Sequence, residues 1–341
     1  MKIVLDAMGG DNAPSEIVAG AVQAARQLNL TVILVGKEAV IKAELAKHNT
    51  AGLDLPVVNA ADAIPMDEHD PAATARAMQK TSSMGVGMKL VKDGEADAFI
   101  TMGSTGGALA TAQFVLGRVP GIKRSPLGAV FPTKVAASKG VFVTDIGANV
   151  EVQPFWLVQF ATMGAIYMER VFGVQNPRVG ILSNGEEEGK GSELVRQTYP
   201  LLKASGLNFI GNVEGKDITA GVCDVAVTDG FTGNVLLKTA EGVQDLIQTT
   251  LREALTSSFI AKIGALLVKD TLRKSLARLD YSESGAAPLL GINGLAFVGH
   301  GRSKAKAVVS AIRTAAEAVR QDVLGAVREA GQRLTKDDDA A

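Results

Sequence analysis

The stretch Ala98-Phe99-Ile100-Thr101-Met102-Gly103-Ser104-Thr105-Gly106-Gly107-Ala108 begins as an apolar run and then enters a loop of glycine and small hydroxyl residues. An Ala/Leu pattern typical of a helix continues to Leu116. This order predicts a strand, a turn and a helix. Backbone N–H groups in such a turn, together with the positive end of the helix, face whatever lies above the strand. The sequence therefore predicts a cradle for phosphate or for a developing oxyanion between Gly103 and Gly107.

Similar junctions recur along the chain. At least five apolar runs end in turns rich in Asp, Asn, Ser, Thr and Gly, and a helical pattern follows each turn. This alternation is typical of an α/β fold with a mostly parallel sheet, in which the ligand site lies along the carboxyl edge. We therefore expect the turns to share one cleft. The other four turns are Asp6–Asn12, Asp145–Asn149, Ser183–Ser192 and Asp229–Asn234.

Composition and charge exclude several classes of protein. The 341 residues carry 35 basic and 36 acidic side chains, and a net charge of −1 does not favour binding to nucleic acid. Cys223 is the single cysteine, which excludes an internal disulfide framework and fits a reducing compartment. No apolar segment reaches the roughly 20 residues that a bilayer crossing needs. We expect a cytoplasmic protein for which any membrane contact is peripheral.

The chain is expected to form a single catalytic unit over residues 1–331, followed by a disordered tail at 332–341. Its hydrophobic content of 47% is enough for a large core. A helical region at about 243–283 interrupts the alternation of strands and helices, with apolar residues on one face and basic residues between them. This pattern is typical either of a hairpin packed on the body or on a twin subunit, or of a docking surface for a membrane or an acidic protein.

Motifs for several other chemistries are absent from the sequence. It contains no G-x-G-x-x-G dinucleotide fingerprint, no P-loop and no G-x-S-x-G nucleophile elbow. The acidic loop Met66–Pro71 has one histidine but no second cluster with ligand spacing, so neither a metal nor another cofactor is expected. Because the dinucleotide fingerprint is absent, a dehydrogenase of the same broad fold is disfavoured. A non-catalytic module that binds lipid or a carrier protein remains an alternative.

One reaction needs few acid–base groups, namely attack by inorganic phosphate on an acyl thioester. A phosphate dianion is abundant near neutral pH, since the second pKa of related monoesters is about 6, and a thiolate leaves without strong protonation. The protein must supply an anion cradle, an oxyanion hole and positioning, which turns of Gly, Ser, Thr and Asn provide. His300, between two glycines, is either a site residue or a structural hydrogen-bonding residue.

Seven motifs resemble those of the bacterial phosphate acyltransferases of phospholipid synthesis, the PlsX type. Each motif is weak alone, but their order and spacing are specific, and the resemblance extends from Met1 to about Ala318. The motifs are Asp6–Asp11, Gly94–Ala98, Asp145–Asn149, Gly185–Gly191, Gly211–Gly215, Asp229–Asn234 and Ala287–Gly291.

The resemblance implies transfer of a long acyl group from acyl carrier protein to inorganic phosphate. The acyl phosphate would supply a downstream, membrane-bound glycerol-3-phosphate acyltransferase. It also implies a homodimer and a three-layer α/β/α fold, related to phosphotransacetylases and isocitrate dehydrogenases but without a bound nicotinamide. Basic residues of the helical region would dock the acidic carrier protein, while the apolar face would meet the partner subunit or the membrane. These basic residues are Lys262, Lys269, Arg273, Lys274 and Arg278.

The candidate site residues follow predicted strands, and their expected roles divide them into two groups. The first group, expected to act on the reacting atoms, is Ser104, Thr105, Asn149, Asn234 and His300. The second, expected to bind phosphate and the thioester or to orient donors, is Asp6, Gly9, Gly10, Gly103, Gly106, Asp145, Asn184, Lys190 and Asp229.

Two positions depart from the pattern expected of the family. Gly103-Ser104-Thr105-Gly106-Gly107 stands where Gly-Asn-Thr-Gly-Ala is expected, and Arg302 stands where a serine is usual. Ser104 has a shorter side chain but keeps a hydroxyl donor beside the N–H groups. Arg302 adds a cation near His300 that either holds phosphate or is solvated.

Overall fold

The computed structural model describes residues 1–135, 137–277 and 285–338. Strands and helices alternate through most of the chain. The strands are β1 (Lys2–Asp6), β2 (Thr31–Gly36), β3 (Val57–Asn59), β4 (Ala98–Thr101), β5 (Gly128–Phe131), β6 (Val141–Thr144), β7 (Val179–Leu182), β8 (Phe209–Val213), β9 (Val225–Val227), β10 (Ala287–Leu289) and β11 (Ala296–Val298). The helices are α1 (Ser15–Leu28), α2 (Glu38–Leu45), α3 (Pro71–Ala77), α4 (Ser83–Lys92), α5 (Thr105–Val115), α6 (Pro154–Phe172), α7 (Glu193–Ala204), α8 (Gly215–Ala220), α9 (Gly230–Thr256), α10 (Phe259–Ala277), α11 (Ala305–Arg320) and α12 (Val323–Asp338).

The strands form two mostly parallel sheets. The first sheet has six strands in the order β10-β11-β4-β1-β2-β3, in which β10 runs antiparallel to β11. The second has five strands in the order β5-β6-β9-β7-β8, in which β5 runs antiparallel to β6. Because the other pairs are parallel, the turns after those strands gather at one edge of each sheet.

Helices cover both faces of the first sheet. Successive residues of a strand point to opposite faces. Ile3 and Leu5 of β1 belong to one buried cluster with Ile17 of α1, whereas Val4 belongs to a second cluster with Met88 of α4. Burial on both faces explains why β1 is a continuous apolar run instead of an alternating one. The predicted α/β class, with mostly parallel strands between helical layers, is confirmed.

The two sheets meet along their antiparallel strands. Leu127, immediately before β5, forms a backbone bridge with Leu289 of β10. The buried cluster that contains Ile3 of the first sheet also contains Phe142 of the second. The division of the strands between two sheets was not predicted, because β1 and β6 are similar apolar runs whose sequences do not encode which strands they pair with.

The helical region begins earlier than predicted, and the C-terminal helix extends into the predicted disordered tail. α9 begins at Gly230 instead of near 243 because Asp229 caps it, with Oδ1 accepting from Thr232 N at 2.8 Å. Residues 278–283 of the predicted region lie outside the described residues. α12 continues to Asp338, so most of the predicted disordered tail is helical, since residues 332–338 contain no glycine or proline to end the helix. None of the helices in the described parts of the chain combines the length and apolarity that a bilayer crossing requires.

Candidate active site

A cleft of about 350 Å³ lies between the two sheets. Its lining comes from the loop after β3, from the turns after β4, β6 and β11, from β5 and β10 with the residues just before them, and from one side of α9. Most of the lining residues are small or apolar, and a few polar residues face them. The lining residues are Met66, Gly103, Ser104, Thr105, Leu127, Ala129, Ile146, Leu237, Lys238, Glu241, Gly285, Ala286, Ala287, Val298, Gly299, His300, Gly301 and Ser303.

The turn after β4 forms one wall of this cleft. Ser104 is the N-cap of α5, and its Oγ accepts a hydrogen bond from Gly107 N at 3.2 Å. The N–H groups of Thr105 and Gly106, at the first two helical positions, have no carbonyl partner within the helix. Because Oγ acts as an acceptor toward Gly107, the hydroxyl proton of Ser104 remains available for a ligand. This arrangement suits an anion at the helix N-terminus.

Asp6 supports the same turn from below. Its buried carboxylate accepts from Thr101 Oγ1 at 2.7 Å and from Met8 N at 3.0 Å. Thr101 Oγ1 in turn accepts from Gly103 N at 2.9 Å. Burial raises the pKa of Asp6 above its ordinary value. The carboxylate thus orients the turn through a hydroxyl and does not line the cleft itself.

Gly9 and Gly10 give the Asp6 turn its close packing. A Cβ on Gly9 would lie 2.7 Å from Asp6 Oδ2 and from Thr101 Oγ1. Gly10 has a φ of 100°, a backbone conformation that favours glycine. Both residues therefore act on the backbone beneath the cleft, and neither is among its lining residues.

Asp145 organises the turn after β6. One carboxylate oxygen accepts from the backbone N–H groups of Leu127, Gly147 and Ala148, and the other accepts from Asn149 N at 2.7 Å and Asn149 Nδ2 at 2.8 Å. The second proton of the Asn149 amide goes to Ser125 O at 3.0 Å. Burial raises the pKa of Asp145. Asn149 therefore uses both of its amide protons within the protein and does not line the cleft.

His300 lies on the wall formed by the turn after β11. Its Nδ1 accepts from Arg302 N at 3.2 Å, and its Nε2 lies 3.8 Å from Oε2 of Glu241 on α9. Glu241 is buried, and its two oxygens accept from Lys238 Nζ at 3.0 and 3.2 Å. Neither Lys238 nor Glu241 was predicted as a site residue. They lie four and seven residues after Asn234, on the same face of α9, so the helical spacing from Asn234 is the sequence signal that points to them.

Several predicted residues lie apart from this cleft. Asn184 and Lys190 are exposed in the turn after β7. The order β6-β9-β7 separates that turn from β6 by two strand spacings, about 10 Å. Asn234 donates to Ile146 O at 3.3 Å, and Asp229 caps α9. The structure thus gathers the turns after β4, β6 and β11 and leaves the turn after β7 outside.

The predicted docking residues lie on or beyond α10. Lys262 and Lys269 are exposed, and Arg273 and Lys274 lie on the same helix. Arg278 lies outside the described residues. Large apolar side chains on α10 are also exposed, including Ile260 at 81% and Leu267 at 81%.

Carboxylates that could share a cation are found at one place in the described parts of the chain. Glu186, Glu214 and Asp217 bring one oxygen each within 4.8 Å of one another. Lys216 pairs with Glu186 at 3.1 Å and also with Glu214, and Asp217 accepts from Glu214 N. These carboxylates therefore already bind a lysine and cap the first turn of α8. In the acidic loop Met66–Pro71, Asp70 likewise caps α3.

Comparison with known sequences gives one consistent result. A sequence family described as "Fatty acid synthesis protein" matches residues 1–326. The chain is 50% identical over 330 residues to a protein of Thermus thermophilus named phosphate acyltransferase, covering 96% of this chain and 98% of that one. It is 48% identical over 329 residues to a protein of the same name from Pelotomaculum thermopropionicum, covering 96% and 94%.

Solved structures with a similar fold include two phosphotransacetylases. The enzyme of Streptococcus pyogenes superposes with a TM-score of 0.62 at 19% identity, covering 94% of both chains. The EutD phosphotransacetylase of Staphylococcus aureus superposes with a TM-score of 0.59 at 17% identity, with the same coverage. At these identities the likeness establishes the fold.

Proposed function

The chain belongs to the phosphate acyltransferase family, and from that premise we propose that it transfers a fatty acyl group from acyl carrier protein to inorganic phosphate. A phosphate oxygen attacks the thioester carbonyl carbon and forms a C–O bond. The tetrahedral oxyanion then collapses, the C–S bond breaks, and the carrier thiolate leaves. The products are an acyl phosphate for phospholipid synthesis and the free carrier thiol.

The observation that carries this proposal is the shared lining of one cleft by the N-terminus of α5 and by His300. The free N–H groups of Thr105 and Gly106 and the positive end of α5 suit a phosphate dianion. The Ser104 hydroxyl and His300 provide further donors for the phosphate or for the oxyanion of the tetrahedral intermediate. Because phosphate is the nucleophile, the reaction needs no covalent bond to a side chain.

The remaining walls of the cleft suit the acyl chain. Leu127, Ile146, Leu237 and Val298 line it, and Leu127, Ile146 and Val298 are buried. Apolar walls beside a small set of donors are typical of a site that holds an apolar ligand by one polar end. A fatty acyl thioester has this character.

The exposed face of α10 supports the proposed partners. Lys262 and Lys269 would attract the acidic carrier protein. The apolar residues between them would be covered by a second subunit of a homodimer or by peripheral contact with a membrane. A cytoplasmic enzyme that reaches the bilayer in this way could deliver acyl phosphate to a membrane-bound glycerol-3-phosphate acyltransferase.

The test is release of carrier thiol from purified acyl carrier protein thioester, measured with and without inorganic phosphate. We expect release that depends on phosphate and forms acyl phosphate in equal amount. Binding of the acylated carrier without turnover would instead indicate a binding module. A nicotinamide-dependent change in absorbance with a hydroxy acid would indicate a dehydrogenase.

Two alanine variants test the site within the same assay. Ser104→Ala should slow phosphate-dependent release about tenfold, which corresponds to about 1.4 kcal/mol of barrier. Lys190 lies outside the cleft, so Lys190→Ala should release thiol within about twofold of the wild-type rate, and a larger loss would show that Lys190 contacts phosphate after all. If Ser104→Ala also stays within twofold, the site assignment is wrong.

A further inference from the structure

The hydrogen bonds around His300 fix which of its nitrogens carries the proton. Nδ1 accepts from Arg302 N at 3.2 Å, so the lone pair of Nδ1 is occupied. A neutral imidazole has one N–H donor and one acceptor nitrogen. The proton of neutral His300 therefore resides on Nε2. His300 then presents an N–H donor to the cleft through Nε2 and offers no basic lone pair there.

The pair Lys238–Glu241 on α9 holds this side of the ring. The Nε2 to Glu241 Oε2 distance of 3.8 Å is too long for a hydrogen bond, so the Nε2 proton stays available to a ligand. Among the residues that the structure describes, Glu241 is nevertheless the carboxylate that lies within 4.0 Å of that nitrogen, and Lys238 Nζ binds both of its oxygens. Lys238 thereby fixes the Glu241 carboxylate beside the edge of the ring that carries Nε2.

Other charged groups near the His300 turn are more exposed. Arg302 lies 4.0 Å from Asp245 of α9, and both side chains are about two-thirds exposed. Asp11 packs against Gly301 and is exposed. In the described parts of the chain, Glu241 is thus the buried charged residue that contacts His300.

We infer that His300 acts as a hydrogen-bond donor through Nε2, and that Lys238 and Glu241 are positioning residues that hold its ring in place. The inference rests on the proposed function, because the acceptor is the phosphate or the thioester oxyanion. It excludes a role for His300 as the general base. It also connects α9, the first helix of the insertion, to the reacting atoms.

Two amides that mimic different imidazole nitrogens test the donor role. The amide nitrogen of glutamine can occupy the position of Nε2, whereas that of asparagine can reach only the position of Nδ1. We expect His300→Gln to keep kcat within about tenfold of wild type and His300→Asn to lose at least a further tenfold. Equal losses in both variants would overturn the assignment of the donor to Nε2.

The positioning role is tested with Glu241→Gln against a matched control. Glu44 also pairs with a lysine three residues away, at 2.6 Å, and its side chain is 15% exposed compared with 10% for Glu241. We expect Glu241→Gln to lower kcat about tenfold with KM for the acyl carrier within twofold, and Glu241→Asp to recover part of the loss. Glu44→Gln should leave both constants unchanged.

Nitrogen-15 NMR of the imidazole provides a readout independent of turnover. The wild-type resonances of His300, assigned by comparison with His300→Gln, should report the Nε2–H form, and Glu241→Gln should retain that form because Arg302 N still occupies Nδ1. A predominant Nδ1–H form in the wild type would overturn the inference even if the enzyme is active. Absence of phosphate-dependent release in the wild type would instead overturn the proposed function, and the NMR result would still stand.

Discussion

Asp6 in the first sheet and Asp145 in the second occupy corresponding positions at strand ends, yet their carboxylates act differently. Both are buried, and burial raises the pKa of each. Asp145 accepts five hydrogen bonds, four of them from backbone N–H groups. Asp6 accepts from the hydroxyl of Thr101, which in turn accepts from Gly103 N beside the cleft.

This difference shows that the donors, more than the residue type, decide what a strand-end carboxylate does. Asp145 ties the turn after β6 to Leu127 before β5 and so stabilises the second sheet. Asp6 contacts the turn that forms the anion cradle through one hydroxyl, that of Thr101. We therefore expect loss of Asp145 to act mainly on stability and loss of the Asp6 contacts to act on both stability and turnover.

The largest effect is expected for Asp145→Ala. The substitution leaves several buried N–H groups without an acceptor, each at a cost of about 1 to 3 kcal/mol before relaxation. We expect the free energy of unfolding to fall by about 4 kcal/mol, measured by urea denaturation. Asp93→Ala is the control, because Asp93 is in an exposed pair with Lys89 and should change stability by less than about 1 kcal/mol. Similar losses in both variants would contradict the role given to Asp145.

Gly9→Ala should disturb the turn that Asp6 supports. The added Cβ would lie 2.7 Å from Thr101 Oγ1 and 2.8 Å from Gly103 N, so the turn must shift. We expect a loss of about 2 to 3 kcal/mol in stability from overpacking and at least a tenfold fall in phosphate-dependent thiol release. Gly215→Ala, where a Cβ meets nothing within 4 Å, should leave both unchanged. Full activity in Gly9→Ala would show that the Asp6 turn does not position the cradle.

The sequence allowed the turns and the family to be predicted because both are local patterns. The strand, turn and helix around Gly103 are present, and membership of the phosphate acyltransferase family is confirmed. The cleft itself required strand order, which no local pattern contains. Lys190 and Ser104 follow similar strands, but only Ser104 lines the cleft. Glu241 was missed because its contact with His300 joins residues 59 positions apart.

Thr101→Val separates the hydroxyl from the shape of the side chain. Valine fills nearly the same volume but leaves Asp6 Oδ2 and Gly103 N without their shared partner. We expect a loss of about 1 to 2 kcal/mol in stability and a severalfold slower phosphate-dependent release. Thr101→Ser keeps the hydroxyl and should recover most of the activity. If valine and serine reduce turnover equally, the hydroxyl does not connect Asp6 to the cradle.

Cys223 gives the finest test of the comparison, because it lies just before β9 in the second sheet and is the single cysteine of the chain. Burial raises the pKa of its thiol to about 12, so a disulfide reagent should react with it only when that part of the protein opens. We expect Asp145→Asn to accelerate labelling in native buffer about tenfold and Thr101→Val to leave it within twofold. Cys223→Ser provides the blank. Equal acceleration in both variants would mean that the two sheets open together, and the roles of Asp6 and Asp145 could then not be assigned to separate sheets.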